Sequence, residues 1–128
     1  MRVIETMIRD LNFPVELVRC PIVREPDGVA MSSRNSYLSA DERRAATILR
    51  RSLVAAGKRI EQGERDGAAI TRQLREAIET EPLASVDYAE VVDAESLVPL
   101  DRIESAALLA VAVRIGRARL IDNLVVEA

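Results

Sequence analysis

The sequence predicts an α+β fold: a small, mostly antiparallel sheet packed with two helices, preceded by a helix–strand pair of α/β type. Three observations predict it. Two stretches of helical periodicity, one opening at Ser39 and one carrying Ile70 to Ile78, follow each other across the short link Gly63–Gly67, which favours an antiparallel helix pair. Strand-like runs then close the chain, the last two joined by the hairpin signal Arg114-Ile115-Gly116-Arg117. Ahead of both lies a short amphipathic helix with a strand-like run behind it.

Each element has a local reason. Val3, Ile4, Met7, Ile8 and Leu11 recur at helical spacing, with Arg2, Glu5, Arg9 and Asp10 elsewhere on the wheel. Asn12-Phe13-Pro14 ends this helix, because the residue before a proline is pushed out of the α region. Val15 to Cys20 reads as a short strand closed by Pro21. No earlier strand exists for it to pair with, so either it joins the later sheet or the sequence begins mid-domain. Residues 22–38 read as one long loop, a kind that tends to be functional or disordered. Its apolar anchors set it apart from a plain linker, and Pro26-Asp27-Gly28 is a turn signal.

Ser39-Ala40-Asp41-Glu42 reads as a capping box, and Asp41 suits the positive end of the helix dipole. The helix that follows presents Ala45, Ile48, Leu49, Ser52, Leu53, Ala56 and Ile60 on one face, with Gly63 as its stop. Ile70, Leu74, Ala77 and Ile78 give the second helix its apolar face, and Pro82 ends it. Val86 to Asp93, the small-residue run Ala106 to Val113, and Ala118 to Val126 read as strands.

The 128-residue chain is 48% hydrophobic and 30% charged, the balance of a globular domain and not of a disordered one. A net charge of −3 and 2% aromatic residues argue against a nucleic-acid binder, by charge and by stacking alike. Arg43, Arg44, Arg50 and Arg51 read as a solvated face, since Asp41, Glu42 and Glu61 share their helix. No apolar run is long enough to span a bilayer, and Met1-Arg2-Val3-Ile4-Glu5 opens no signal-peptide core. With one cysteine, no intrachain disulfide forms, and the expected compartment is the cytoplasm. Cys20 is expected to be a small buried hydrophobe. The acidic residues Asp87, Asp93, Asp101 and Asp122 show no metal-cage spacing, so no metal site is assigned to these residues. There is no histidine, so the chain by itself runs no imidazole chemistry.

The chemistry concentrates in Met31-Ser32-Ser33-Arg34-Asn35. Two hydroxyls donate to phosphate oxygens, Arg34 offers a planar fork, and consecutive amides in a turn can form an anion nest. By pattern alone, such a triplet is more often a solvated turn than a phosphate site. Arg24 is placed to pair with Glu25 or Asp27 or to brace this loop, and Asp27 is most simply a turn former.

The string Val23-Arg24-Glu25-Pro26-Asp27-Gly28-Val29-Ala30-Met31-Ser32-Ser33-Arg34-Asn35, with Tyr37-Leu38-Ser39 after it, closely resembles the corresponding stretch of the pantothenate synthetase family. The likeness continues through the Arg- and Ala-rich helix, Val86-Asp87-Tyr88, and Arg119-Leu120-Ile121-Asp122-Asn123, and so covers essentially the whole chain. The resemblance implies a C-terminal portion of an ATP-dependent ligase. That ligase activates pantoate as an adenylate, releases pyrophosphate, and lets the amine of β-alanine displace AMP. It implies that residues 1–21 are the tail of a Rossmann-like nucleotide-binding domain and residues 22–128 a lid domain. Met31-Ser32-Ser33-Arg34 looks like a loose version of the Lys-Met-Ser-Lys-Ser loop of class I aminoacyl-tRNA synthetases, with Arg34 in place of the absent lysines.

On that likeness, Ser32, Ser33 and Arg34 are the catalytic candidates through phosphate contact. Met31 contributes by its place in the loop, and the backbone of Val23 meets the adenine. The implied ligands are ATP with Mg2+, the metal being held mainly by the phosphates and the other half of the ligase, and pantoate and β-alanine in the full-length protein. The family's His-x-Gly-His and Gly-x-Lys-Asp-x-Gln-Gln motifs are absent, so the chain alone is expected to bind ATP weakly and turn nothing over. An alternative is a non-catalytic interaction module, forming a homodimer through an exposed edge at residues 15–20. A small nucleic-acid-binding domain is the third reading, disfavoured by charge.

Overall fold

The structure is a computed structural model that describes residues 1–127. Helix α1 spans Arg2–Asp10 and a 3-10 turn spans Ser33–Tyr37. Helices α2 (Ala40–Glu61) and α3 (Gly67–Glu79) follow, then strands β1 (Ala84–Asp93), β2 (Ala107–Ile115) and β3 (Ala118–Val126). The sheet is antiparallel, in the order β1-β2-β3. This is the expected α+β architecture, two helices on a small antiparallel sheet.

The ends of α2 form as the sequence expects. Ser39 Oγ accepts from the Glu42 amide at 3.3 Å, and Glu42 Oε2 accepts from the Ser39 amide at 2.7 Å. At the other end Gly63 has φ +103°, with Gly63 N donating to Ile60 O and Glu64 N to Arg59 O, at 3.0 and 2.9 Å. That paired closure needs a left-handed residue, which glycine supplies without a Cβ penalty. Asp66 caps α3, accepting from the Ala69 amide at 2.8 Å. Gly67 meets a close backbone approach, since a Cβ there would lie 1.8 Å from Leu100 O.

Helix α3 lies against β1, and α2 against β2 and β3. Their stripes meet the inner face of the sheet, where Leu53, Ile60, Ile70, Leu74, Ile78, Leu109, Val111 and Val113 are fully buried. Each such side chain is worth about 1.5–3 kcal/mol of burial. Gly57 lets α2 approach β3, since a Cβ would sit 2.8 Å from Leu124 Cδ2. Strands β2 and β3 turn through Gly116-Arg117 in register Ile115↔Ala118.

The N-terminal region departs from expectation. Val15 to Cys20 forms no strand: among the described residues it pairs with neither edge of the sheet. A β-prone run becomes a strand only through a ladder of partners, and none is present here. Cys20 is accordingly exposed, not buried, because the segment that carries it joins no sheet. The strand edge invoked for self-association is therefore not formed. Helix α1 does form. Arg2 anchors it, donating to Ala94 O at 2.8 Å and pairing with Glu95 at 2.9 Å, and Glu5 pairs with Arg19. Among the described residues no helix is long and apolar enough to cross a membrane.

Candidate functional site

Residues 22–38 form an ordered arm along the outer strand β3, where the sequence reads as a loop. A two-rung hairpin starts it: Glu25 N donates to Val29 O and Met31 N to Val23 O, both at 2.9 Å, around the bridge Arg24↔Ala30. Its tip is the expected turn. Gly28 has φ +88°, and Asp27 Oδ1 accepts from Val29 N at 3.1 Å. Ser32 then caps the 3-10 turn, its Oγ accepting from Arg34 N at 3.2 Å.

Ion pairs fasten the arm. Arg24 holds Asp122 of β3 with both nitrogens, at 2.7 and 2.9 Å, and donates to Gly28 O at 3.0 Å. Its guanidinium is held charged more firmly than usual by the Asp122 hydrogen bond, which outweighs desolvation. The sequence sets Arg24 beside Glu25 and Asp27, but those carboxylates take Arg43 instead. Arg43 lies 2.7 Å from Asp27 and 2.9 Å from Glu25. Burial pushes the Asp27 carboxyl up, but the Val29 amide and Arg43 outweigh it and leave its pKa below the ordinary value. Asn35 donates from Nδ2 to Glu25 Oε1 at 2.7 Å and to Ala30 O at 3.1 Å, tying the far end of the loop to the hairpin.

A cavity of about 350 Å³ opens between this arm, α2 and β3. Met31, Ser32 and Arg34 line it, together with Asn35, Arg50 and Arg119. Ser33 and Val23 do not line it, although both are exposed on the same arm. The Arg34 guanidinium has no hydrogen-bond or ion partner among the described residues. The Ser32 hydroxyl oxygen accepts a bond, which leaves its hydrogen to donate. Arg119 donates to Asp87 Oδ2 at 2.6 Å, lies over the Tyr88 ring at 5.8 Å, and holds the Asp87 pKa low. The arrangement offers an anion two guanidiniums that have no ion partner among the described residues, those of Arg34 and Arg50, a third on Arg119 that is held by Asp87, and a free hydroxyl.

Arg50 and Arg119 are the cations that sequence reasoning missed. Arg50 belongs to the set read as a solvated face. Arg44 and Arg51 are exposed as expected, but Arg43 is an arm clip and Arg50 lines the cavity. The signal was available, since Arg50 lies four residues after the buried Ala46 and so shares its side of the helix. Asp122 was legible too: strand alternation sets it with Ala118, Leu120 and Val126 on the buried face, where a carboxylate needs a partner.

Fold and site together define a small α+β unit that carries a cationic, hydroxyl-bearing loop at a sheet edge. Known proteins share the fold. Residues 1–125 match the family model described as pantoate-beta-alanine ligase. Pantothenate synthetase of Roseiflexus castenholzii is 56% identical over 126 residues, covering 98% of this chain and 45% of that protein. The Thermosipho africanus pantothenate synthetase is 50% identical over 125 residues, with 98% of this chain and 45% of that protein covered. A crystal structure of pantothenate synthetase from Thermus thermophilus superposes with a TM-score of 0.88 at 45% identity, covering 96% of this chain and 44% of that one. The chain belongs to the pantoate–β-alanine ligase family, and it spans a little under half the length of these relatives.

Proposed function

We infer that this chain is the lid portion of an ATP-dependent pantoate–β-alanine ligase and that its 31–34 loop grips the nucleotide's phosphates. Ser32 and Ser33 would donate hydroxyl hydrogens to phosphate oxygens, and Arg34 would neutralise charge on the transferring phosphoryl group and the departing pyrophosphate. The pantoate carboxylate attacks the α-phosphorus and expels pyrophosphate. The β-alanine amine then attacks the acyl carbon and expels AMP. The backbone of Val23 would meet the adenine. The observation that carries the reading is the unpaired Arg34 facing a concave, cationic surface beside a hydroxyl with a free hydrogen.

Residues 1–21 would be the tail of the nucleotide-binding domain and residues 22–128 the lid, which excludes water from the hydrolysable adenylate on closing. The exposed Val3, Met7, Leu11, Phe13 and Val18 are the side chains the rest of that domain would cover. Magnesium would travel with the triphosphate. Among the described residues no three His, Cys, Asp or Glu side chains converge, and phosphate supplies the hard oxygens this ion prefers.

The test is calorimetric titration with magnesium-ATP. Arg34→Ala should weaken binding by about 1.5–3 kcal/mol, the range for a charge-assisted hydrogen bond. Unchanged affinity would remove Arg34 from the site. A pyrophosphate-release assay with pantoate, β-alanine, ATP and magnesium should show no turnover by the chain alone. Clear turnover would show that the chain is more than a lid.

A further inference from the structure

The nucleotide reading uses two places on one arm, Val23 and the loop 31–34. What holds them in register is an ion pair that touches neither. Asp122 projects from β3 with its side chain 2% exposed, on the inner face beside Leu120. A lone carboxylate there would be costly. Arg24, 20% exposed, meets both carboxylate oxygens, and the same guanidinium donates to Gly28 O across the hairpin. One side chain therefore neutralises the buried charge, closes residues 24–30 into a hairpin, and fastens that hairpin to the sheet. Val23 and Met31 are the next pair along from the Arg24↔Ala30 bridge, joined by Met31 N to Val23 O. The Asn35 bonds to Glu25 and Ala30 tie down the loop's other end.

We propose that Arg24, clamped by Asp122, is the positioning residue of the nucleotide site: it fixes the spacing between the base-contacting backbone at residue 23 and the phosphate-contacting groups at 31–34. The proposal rests on the nucleotide reading, because only a ligand bridging both places gains from that spacing. Lysine cannot do the same work. Its point charge reaches Asp122 but cannot hold two carboxylate oxygens and a carbonyl at once in a planar fork.

Two measurements on the 128-residue chain separate the claims. The first is amide hydrogen exchange. In Arg24→Lys, and in Asp122→Asn, exchange at Glu25 and Met31 should accelerate about tenfold or more while Val111 and Val113 in the core keep their rates. Unaltered exchange in Arg24→Lys, or unprotected Met31 in the wild type, overturns the clamp. If Asp122→Asn fails to fold, Arg24→Lys still decides, because it retains a cation beside Asp122.

The second is titration with magnesium-ATP and, separately, with magnesium tripolyphosphate, which needs the loop but not Val23. Arg24→Lys should weaken ATP about tenfold and tripolyphosphate about twofold or less. Equal weakening of both assigns Arg24 a general structural role and overturns positioning, as does no weakening of either. If the wild type binds neither ligand, the nucleotide reading fails and positioning fails with it. The exchange result then still reports separately whether the clamp exists.

Discussion

Residues 40–126 and residues 1–38 are held by different forces. The first region closes on itself through apolar burial, with Leu53, Ile60, Ile70, Ile78, Leu109 and Val113 out of solvent. In the second, Val29 is the one buried hydrophobic residue, and Leu38 packs only partly against the core. The N-terminal region is fastened instead by arginine–carboxylate clips: Arg2 to Glu95, Arg24 to Asp122, and Arg43 to Asp27 and Glu25. Apolar contact is non-directional and makes a stable platform without fixing the aim of a loop. A guanidinium fork is directional, so it can set where a hydroxyl or a backbone amide points. The platform thus supplies stability, and the arm supplies geometry.

Stability measurements can break this comparison. Leu53→Ala removes a fully buried side chain between α2 and the sheet and should cost about 2–5 kcal/mol in chemical denaturation. Val3→Ala, on the exposed face of α1, should stay within about 0.5 kcal/mol. Similar costs at the two sites would mean that the N-terminal region shares the core's packing. Ser39→Ala tests the junction between the regions. It removes one half of the capping box at the start of α2 and should cost about 1 kcal/mol. A negligible effect there would indicate that the first turn of α2 is frayed in solution.

The platform was legible in the sequence because its signals are local. The capping box at Ser39, the glycine at 63 and the period of Ala45 to Ile60 all act within a few residues, and α2 forms within those bounds. The arm was less legible because its fasteners are distant: Arg24 and Asp122 lie 98 positions apart. Alternation along β3 exposes the burial of Asp122, but no periodicity names its partner. The misread strand at 15–20 is the same lesson inverted, since propensity is local and pairing is not. The candidate loop was found through its residue types and its family likeness. Which of its hydroxyls faces the cavity depends on the 3-10 turn, which admits Ser32 to the lining and leaves Ser33 outside it.

Acid should distinguish the two regions most gently. Asp27 has its pKa lowered in the folded chain: burial opposes the shift, and the Val29 amide and Arg43 prevail. A depressed carboxylate contributes stability that is fully present above its unfolded value and is lost as pH falls through the folded one. The clip at the hairpin tip should therefore hold at neutral pH and loosen only below the ordinary value of 3.8. In an NMR titration the Val29 amide should report that midpoint, and Asp27→Asn should abolish the response. Asp87 and Asp93 are lowered as well, by Arg119 and by the Ser96 amide respectively. Both lie at the rim of the sheet, and the apolar contacts behind them do not depend on their charge. Val111 and Val113 amides should stay silent through the same window. A Val29 midpoint at or above 3.8, or core amides that move with it, would mean that arm and platform answer to one set of forces after all.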